Sequence, residues 1–97
     1  MTEKILEWAA ARSLLNPDNA SKQMVKLMEE VGELSSALLK SNKPEQEDAI
    51  GDIQVVLIIL SAQLGIDYKA SLESAYEVIK NRKGKTVDGT FIKEDAV

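Results

Sequence analysis

The chain has 97 residues, a formal net charge of −4, and neither cysteine nor histidine. The missing cysteine excludes disulfides, a thiolate nucleophile and Cys-ligated zinc, and the missing histidine excludes an imidazole acid or base and the usual zinc and copper sites. Any chemistry must therefore rest on carboxylates, lysines and a cation held by oxygen ligands, such as Mg²⁺, Mn²⁺ or Ca²⁺.

Two amphipathic helices are predicted in the first half of the chain. Apolar residues at helical spacing predict the first helix over about 3–15, which Asn16-Pro17-Asp18 ends. The second helix, over about 19–41, ends before Pro44. Its apolar positions follow the i, i+3, i+4, i+7 pattern and are Met24, Leu27, Met28, Val31, Leu34 and Leu38.

The third element begins at Pro44, which suits the first position of a helix, and Glu45, Glu47 and Asp48 suit its first turn. Residues 53–60 are rich in β-branched side chains and also fit a buried strand. Because the apolar character runs on to Gly65, past the usual strand length, a helix is favoured. A helix that is apolar on all sides must be buried in a bundle or against a second subunit.

Asp67 is a candidate N-cap for a fourth helix. This helix is expected to end at segment 80–84, which contains cations and a glycine. The apolar face of this helix is Leu72, Ala75, Tyr76 and Ile79. Asp88-Gly89 predicts the turn of a short hairpin between Thr86 and Ile92. The predicted fold is all-α: one domain over 1–97, bundle-like with four helices and a short C-terminal hairpin or tail. It is expected to be oligomeric, because three short partner helices do not cover the third.

The overall composition is typical of a globular protein, with 44% hydrophobic and 29% charged residues. An isoelectric point near 4.8 disfavours attraction to nucleic acid or to an anionic membrane. The first residues lack the layout of a signal peptide, and no apolar stretch reaches the length of a membrane span. We therefore expect a soluble, cytoplasmic protein.

Seven of the sixteen carboxylates fall into two groups on consecutive predicted helices. They are Glu29, Glu30 and Glu33 on the second helix, and Glu45, Glu47, Asp48 and Asp52 on the third. Spacings of three and four residues place like charges on one side of a helix, where they repel unless a cation lies between them. For Glu29 and Glu33 the alternative is a solvated helix face, because both lie away from the apolar stripe.

Glu30 flanks the apolar stripe and can turn towards an interior, and Asp52 precedes the apolar run, where a carboxylate needs a partner. Asp48 fits a ligand role or a first-turn role equally well. Gly32 and Gly51 adjoin these acids and would let two helices approach closely, or serve only to relieve packing.

A basic cluster of opposite sign ends the fourth helix and consists of Lys80, Arg82, Lys83 and Lys85. Its default role is to complement the helix dipole. Beside a carboxylate-held Mg²⁺, the same cations would suit a polyphosphate.

The acidic pattern resembles that of the MazG-like branch of the all-α nucleoside triphosphate pyrophosphohydrolases, and specifically their small stand-alone members from phages and mobile elements. Their EExxE motif is matched by Glu29-Glu30-Val31-Gly32-Glu33. Their ExxD motif is matched only at Asp52, because Ala49 stands where the family has glutamate, and Asp48 can substitute from the adjacent position. The similarity extends to Gln23 and Lys26 and to segments 51–57, 76–85 and 89–93, and so covers nearly the whole chain.

The resemblance implies hydrolysis of a nucleoside triphosphate, with a deoxynucleotide expected, to the monophosphate and pyrophosphate. It implies Mg²⁺, with Mn²⁺ as a substitute, on the ligands Glu30, Glu33, Asp48 and Asp52. Either Glu29 or Glu33 is expected to activate the attacking water.

Four cations are candidates for phosphate contacts: Lys26, Lys80, Arg82 and Lys83. Trp8 is a candidate for stacking on the base, although its helical spacing also fits a core position. The partners expected are the nucleotide and further copies of this chain, as a dimer or a dimer of dimers. The rival hypothesis, which Ala49 favours, is a non-catalytic helical dimer acting as a nucleotide sensor or protein-interaction module.

Overall fold

A computed structural model describes residues 1–94 as four α-helices followed by an antiparallel hairpin. The helices are α1 (Thr2–Ala11), α2 (Ala20–Leu39), α3 (Lys43–Gln63) and α4 (Tyr68–Ile79), and the strands are β1 (Gly84–Val87) and β2 (Thr90–Lys93). A 3₁₀ turn, Pro17–Asn19, leads into α2. This architecture confirms the predicted all-α fold and its C-terminal hairpin.

The first three helices end in the same way, with a left-handed residue just past the helix. These residues are Ser13, Ser41 and Gly65, with φ of 57°, 54° and 71°. In each case the next N–H donates to a carbonyl five residues earlier, as in a Schellman motif. For this reason α1 ends at Ala11 rather than at the predicted Leu15.

Side-chain caps start α3 and α4. The Asn42 side chain accepts a hydrogen bond from the Glu45 N–H at 3.2 Å, so α3 begins at Lys43 and Pro44 occupies its second position instead of its first. Asp67 accepts from the Ala70 N–H at 3.0 Å, which confirms its predicted role as N-cap. The strand interpretation of 53–60 is wrong, because this segment lies inside α3.

The core lies where α3 packs against α1 and α2. Its buried apolar residues are Ala9, Ala37, Ala49, Val56, Ile58 and Ile59. Gln63 is buried as well, and its side-chain amide donates to the Leu14 carbonyl at 2.9 Å, which ties the end of α3 to the loop after α1. These contacts fix α2 and α3 side by side.

Helix α4 turns away from this core at an angle of 103° to α3. No residue of α4 is buried, and its predicted apolar face is open: Leu72 is 64% exposed and Tyr76 59%. The accessible surface is 7376 Å², against about 5,500 Å² for a compact monomer of this mass. The radius of gyration is 16.3 Å, against about 13 Å for a compact chain of this length. A single copy therefore leaves much apolar surface uncovered.

No single helix within residues 1–94 is both long and apolar enough to cross a membrane. Helices α3 and α4 reach the required length and apolarity only when they are taken together across their sharp bend.

Candidate metal centre

Three carboxylates from two helices converge at the surface of the α2–α3 pair. Glu30 and Glu33 lie one turn apart on α2, and Asp52 faces them from α3. One oxygen from each side chain lies within 4.8 Å of the other two. Oxygen ligands at this spacing suit a hard divalent cation such as Mg²⁺.

Glu30 is the buried member of this group and is only 5% exposed. Its Oε1 lies 3.2 Å from the Lys26 ammonium, whereas its Oε2 is buried without a hydrogen-bond partner. An unpartnered, buried carboxylate oxygen is costly unless a cation satisfies it. The donor set therefore fits a divalent cation, with Glu30 Oε2 as the atom that most needs one.

The pKa values reflect the crowding of negative charge. The pKa of Glu33 is raised above its ordinary value, first by the negative charge of Glu30, to which only a protonated Glu33 could donate a hydrogen bond, and then by partial desolvation and by the charge of Asp52. The pKa of Lys26 is raised in turn, because Glu30 stabilises its ammonium form. Glu33 is solvent-exposed and holds a proton more tightly than an isolated glutamate, so it can exchange a proton with a nearby water.

The exposed members of the group line an acidic cleft of about 370 Å³ between α2 and α3. Its lining residues are Glu33, Ser36, Lys40, Glu45, Asp48, Ala49 and Asp52. The predicted ligand Asp48 lies in this cleft but outside the three-carboxylate group. Ala49 places a buried methyl group at the position where the ExxD motif has its glutamate.

Sequence reasoning missed two members of this cleft, Ser36 and Lys40. They follow Glu33 by three and seven residues and therefore share its face of α2. This spacing was the available signal. Lys40 supplies the positive charge of the cleft, opposite Glu45, Asp48 and Asp52.

Glu29 does not join the three-carboxylate group, although it was one of two candidates for water activation. Its Oε2 lies 3.9 Å from the Lys26 ammonium, and its side chain is 59% exposed. Lys26 thus bridges Glu29 and Glu30, one carboxylate outside the group and one inside it.

A second cleft, of about 430 Å³, lies between α1 and α3. It is lined by Lys4, Ile5, Trp8, Asp52 and Val55, so Asp52 borders both clefts. Trp8 is 47% exposed, and the guanidinium of Arg12 lies 4.3 Å above its ring. The core interpretation of Trp8 is therefore wrong. Lys4 was missed, and its spacing of four residues from Trp8 was the signal.

The basic residues at the end of α4 line different clefts. Arg82 and Lys83 lie at the base of the hairpin with Lys93 and Glu94, and these clefts share no residue with the acidic one. The Lys80 ammonium pairs with Glu77 at 2.6 Å. Within residues 1–94 of one chain, the predicted phosphate contacts Lys80, Arg82 and Lys83 are thus not brought to the carboxylates.

The hypothesis that Gly32 and Gly51 allow two helices to approach closely is wrong for one chain. A Cβ atom built on either glycine meets no atom of the described residues within 4 Å. Both glycines face solvent, so neither brings the acidic groups together.

The sequence matches the model of the phosphoribosyl-ATP pyrophosphohydrolase family over residues 8–86. The chain belongs to this family. The phosphoribosyl-ATP pyrophosphohydrolase family lies within the MazG-like all-α superfamily, which confirms the predicted relationship at that level. The matched range contains Trp8 and all three converging carboxylates, and the family indicates pyrophosphohydrolase activity on nucleotides.

A relative of this family member occurs in a bacteriophage. A stretch of 68 residues is 46% identical to the uncharacterized 18.2 kDa protein in the rep-hol intergenic region of Haemophilus phage HP1 (strain HP1c1). The stretch is 69% of this chain but only 41% of the phage protein, so the chain spans less than half the length of this relative. No solved structure gave a significant match.

Proposed function

We propose that this chain hydrolyses nucleoside triphosphates, with deoxynucleotides preferred, to the monophosphate and pyrophosphate in a Mg²⁺-dependent reaction. The observation that carries the proposal is the convergence of Glu30, Glu33 and Asp52 around a buried carboxylate oxygen that has no partner. Membership of a pyrophosphohydrolase family supports the reaction class.

The proposed role of each carboxylate follows from its position in the site. Glu30, Glu33 and Asp52 would hold the cation, and Asp48 lies in the acidic cleft that Glu33 and Asp52 line. At these ligands, Mg²⁺ or Mn²⁺ would supply positive charge for the phosphate oxygens and for polarising a water. Glu33 accepts a proton from the water whose oxygen attacks phosphorus, and the phosphoanhydride bond to the departing pyrophosphate breaks. Glu29 is the weaker candidate for base, because Lys26 pairs with it outside the group.

The two clefts that meet at Asp52 suit the two ends of a nucleotide. The acidic cleft, with Lys40 on its wall, lies on the cation side and suits the triphosphate. The exposed Trp8 ring in the second cleft offers a stacking surface for the base, with Lys4 beside it. Asp52 would thus lie between the phosphate and base ends of the substrate.

We also propose that the chain works as a homo-oligomer, a dimer or a dimer of dimers. The open apolar face of α4 and the excess of about 1,900 Å² in accessible surface over a compact monomer favour a second copy. In such an assembly Lys80, Arg82 and Lys83 would reach a phosphate only at a partner's site, because their own clefts are separate from the carboxylates.

The proposal is tested by ³¹P NMR of reactions with Mg²⁺ and a panel of NTPs, dNTPs and phosphoribosyl-ATP. The expected result is release of pyrophosphate with the matching monophosphate, fastest for a dNTP. Preference for phosphoribosyl-ATP would overturn the substrate assignment while leaving the reaction class intact.

The second candidate, a non-catalytic nucleotide sensor or protein-interaction module, is favoured by the methyl group of Ala49 in the acidic cleft. The same panel separates the two functions. Saturable nucleotide binding without turnover at any Mg²⁺ or Mn²⁺ concentration would favour the sensor.

A further inference from the structure

Lys26 lies between the buried part of the acidic group and solvent. Its ammonium is 3.2 Å from Glu30 Oε1 and 3.9 Å from Glu29 Oε2. The lysine side chain is 53% exposed, whereas the Glu30 side chain is 7% exposed. The Lys26 ammonium therefore places one positive charge beside the most buried carboxylate of the group.

We propose that Lys26 is a positioning residue that holds Glu30 in the metal-free protein and transfers to a phosphate oxygen when a divalent cation binds. The proposal rests on the proposed function, because it takes Glu30 as a metal ligand. One carboxylate oxygen, Oε1, is already paired with Lys26, and the other, Oε2, is unpartnered. A divalent cation at Oε2 shares one carboxylate with the ammonium, and the two positive charges repel.

The Lys26 ammonium can move from Glu30 to an oxygen of the triphosphate. Lysine carries a compact charge on a flexible stem, and the stem of Lys26 is half in solvent. The triphosphate brings negative oxygens to the cation. Lys26 can exchange Glu30 for one of them, which keeps every charge paired. Metal binding and phosphate binding are then coupled through one side chain.

The proposed coupling predicts the direction in which the metal affinity changes when Lys26 is replaced. In the metal-free protein Lys26 neutralises part of the charge that attracts the divalent cation, so it competes with that cation. Removing the ammonium should tighten metal binding by about tenfold, the order expected for a unit charge a few ångströms from a divalent ion in a partly solvated site. The same change should weaken binding of the triphosphate once the metal is present.

The test is calorimetric titration of the full chain with Mn²⁺, comparing the wild type with Lys26→Met and Lys26→Arg. Lys22→Met is the matched control, because it removes the same charge from an exposed position one turn earlier on α2. Lys26→Met should bind Mn²⁺ about tenfold more tightly than Lys22→Met, and Lys26→Arg should bind it as the wild type does. A non-hydrolysable triphosphate, titrated in Mn²⁺, should bind more weakly to Lys26→Met.

Each other outcome counts against the proposal. Equal Mn²⁺ affinity in Lys26→Met and Lys22→Met would show that Lys26 does not compete with the cation. Weaker Mn²⁺ binding in Lys26→Met would show that Lys26 only orients Glu30, with no transfer. A wild type that binds no Mn²⁺ would contradict the proposed function itself and the inference with it, and this result is distinct from the other two.

Discussion

The α1–α3 body and the α4–hairpin segment both contain amphipathic helices, but only the body forms a buried core in one copy of the chain. In the body, α1 and α2 pack on α3 around a small buried core beside three converging carboxylates, although Met24, Met28 and Leu38 of the predicted α2 stripe remain 46%, 58% and 66% exposed. In the second segment, every residue from Ser71 to Glu94 is exposed, including the apolar face of α4. An amphipathic pattern therefore specifies a helix and its apolar face without specifying which surface covers that face.

The largest expected effect is a loss of kcat, and it tests whether the α1–α3 body contains the catalytic site. Glu33→Gln should lower kcat for pyrophosphate release by about 100-fold or more, because it removes both a ligand and the proton acceptor. Glu29→Gln, on the same helix but outside the group, should lower kcat by less than about tenfold. Steady-state kinetics at saturating Mg²⁺ measures both. Equal losses of kcat in the two variants would contradict the assignment of Glu33, rather than Glu29, as the proton acceptor.

The next prediction concerns the α4 segment, where we propose that a second copy covers the apolar face. Leu72→Glu puts a charge on that face and should convert the oligomer to a monomer at micromolar concentration, because burying an unpaired carboxylate in an interface is costly. Ser74→Glu adds the same charge on the opposite side of α4 and serves as the control. Light scattering coupled to size exclusion gives the masses. A wild type that is already monomeric would refute the proposed assembly.

A third prediction follows from the raised pKa of Glu33, whose ordinary value is 4.5. Between the unfolded and the folded pKa, the folded chain binds more protons than the unfolded chain, so the free energy of unfolding falls as pH rises through this interval. A bound cation replaces that proton. Mg²⁺ should therefore raise Tm more at about pH 7.5 than at about pH 4, because the lower pH favours the protonated form of Glu33 that competes with the cation.

Thermal melts with and without Mg²⁺ at both pH values check this dependence. Asp52→Asn, which removes one ligand, should abolish most of the difference. The same Mg²⁺ shift at both pH values would argue that the cation acts elsewhere on the chain.

The smallest expected effect lies on the exposed side of α3. Gly51→Ala should raise the free energy of unfolding by about 0.5–1 kcal/mol, because glycine is a poor helix former and the new methyl group meets no described atom within 4 Å. Urea denaturation measures the change. A destabilised variant would mean that another copy packs closely against α3 at this position, which would move the interface from α4 towards the body.

Much of the body could be predicted from local signals. The apolar stripe and Pro44 place α2 and the start of α3 within two residues of their observed positions. The end of α1 was misplaced because Ser13 takes a left-handed conformation that glycine usually supplies. Glu30 was singled out correctly as a carboxylate that turns from the edge of the apolar stripe into the interior, whereas the expected burial of Asp52 beside the apolar run is wrong, because Asp52 is exposed at the surface of α3.

The remaining features depend on long-range placement. No local pattern states that α4 turns from α3 by 103°, and this turn leaves Arg82 and Lys83 in clefts apart from the carboxylates. Similarly, the helical spacing of Trp8 fits both a core and a surface position, and only the packing of α1 on α3 leaves its ring half exposed beside Asp52.

We propose that the carboxylate group shared by α2 and α3 is the working metal site of a pyrophosphohydrolase. The most direct measurement is the yield of pyrophosphate and monophosphate from a dNTP, with Mg²⁺ and after chelation, for the wild type and for Asp52→Asn. We predict equimolar products from the wild type with Mg²⁺, and loss of both products on chelation or in Asp52→Asn. Orthophosphate as the product, or pyrophosphate release that Asp52→Asn leaves unchanged, would contradict the claim.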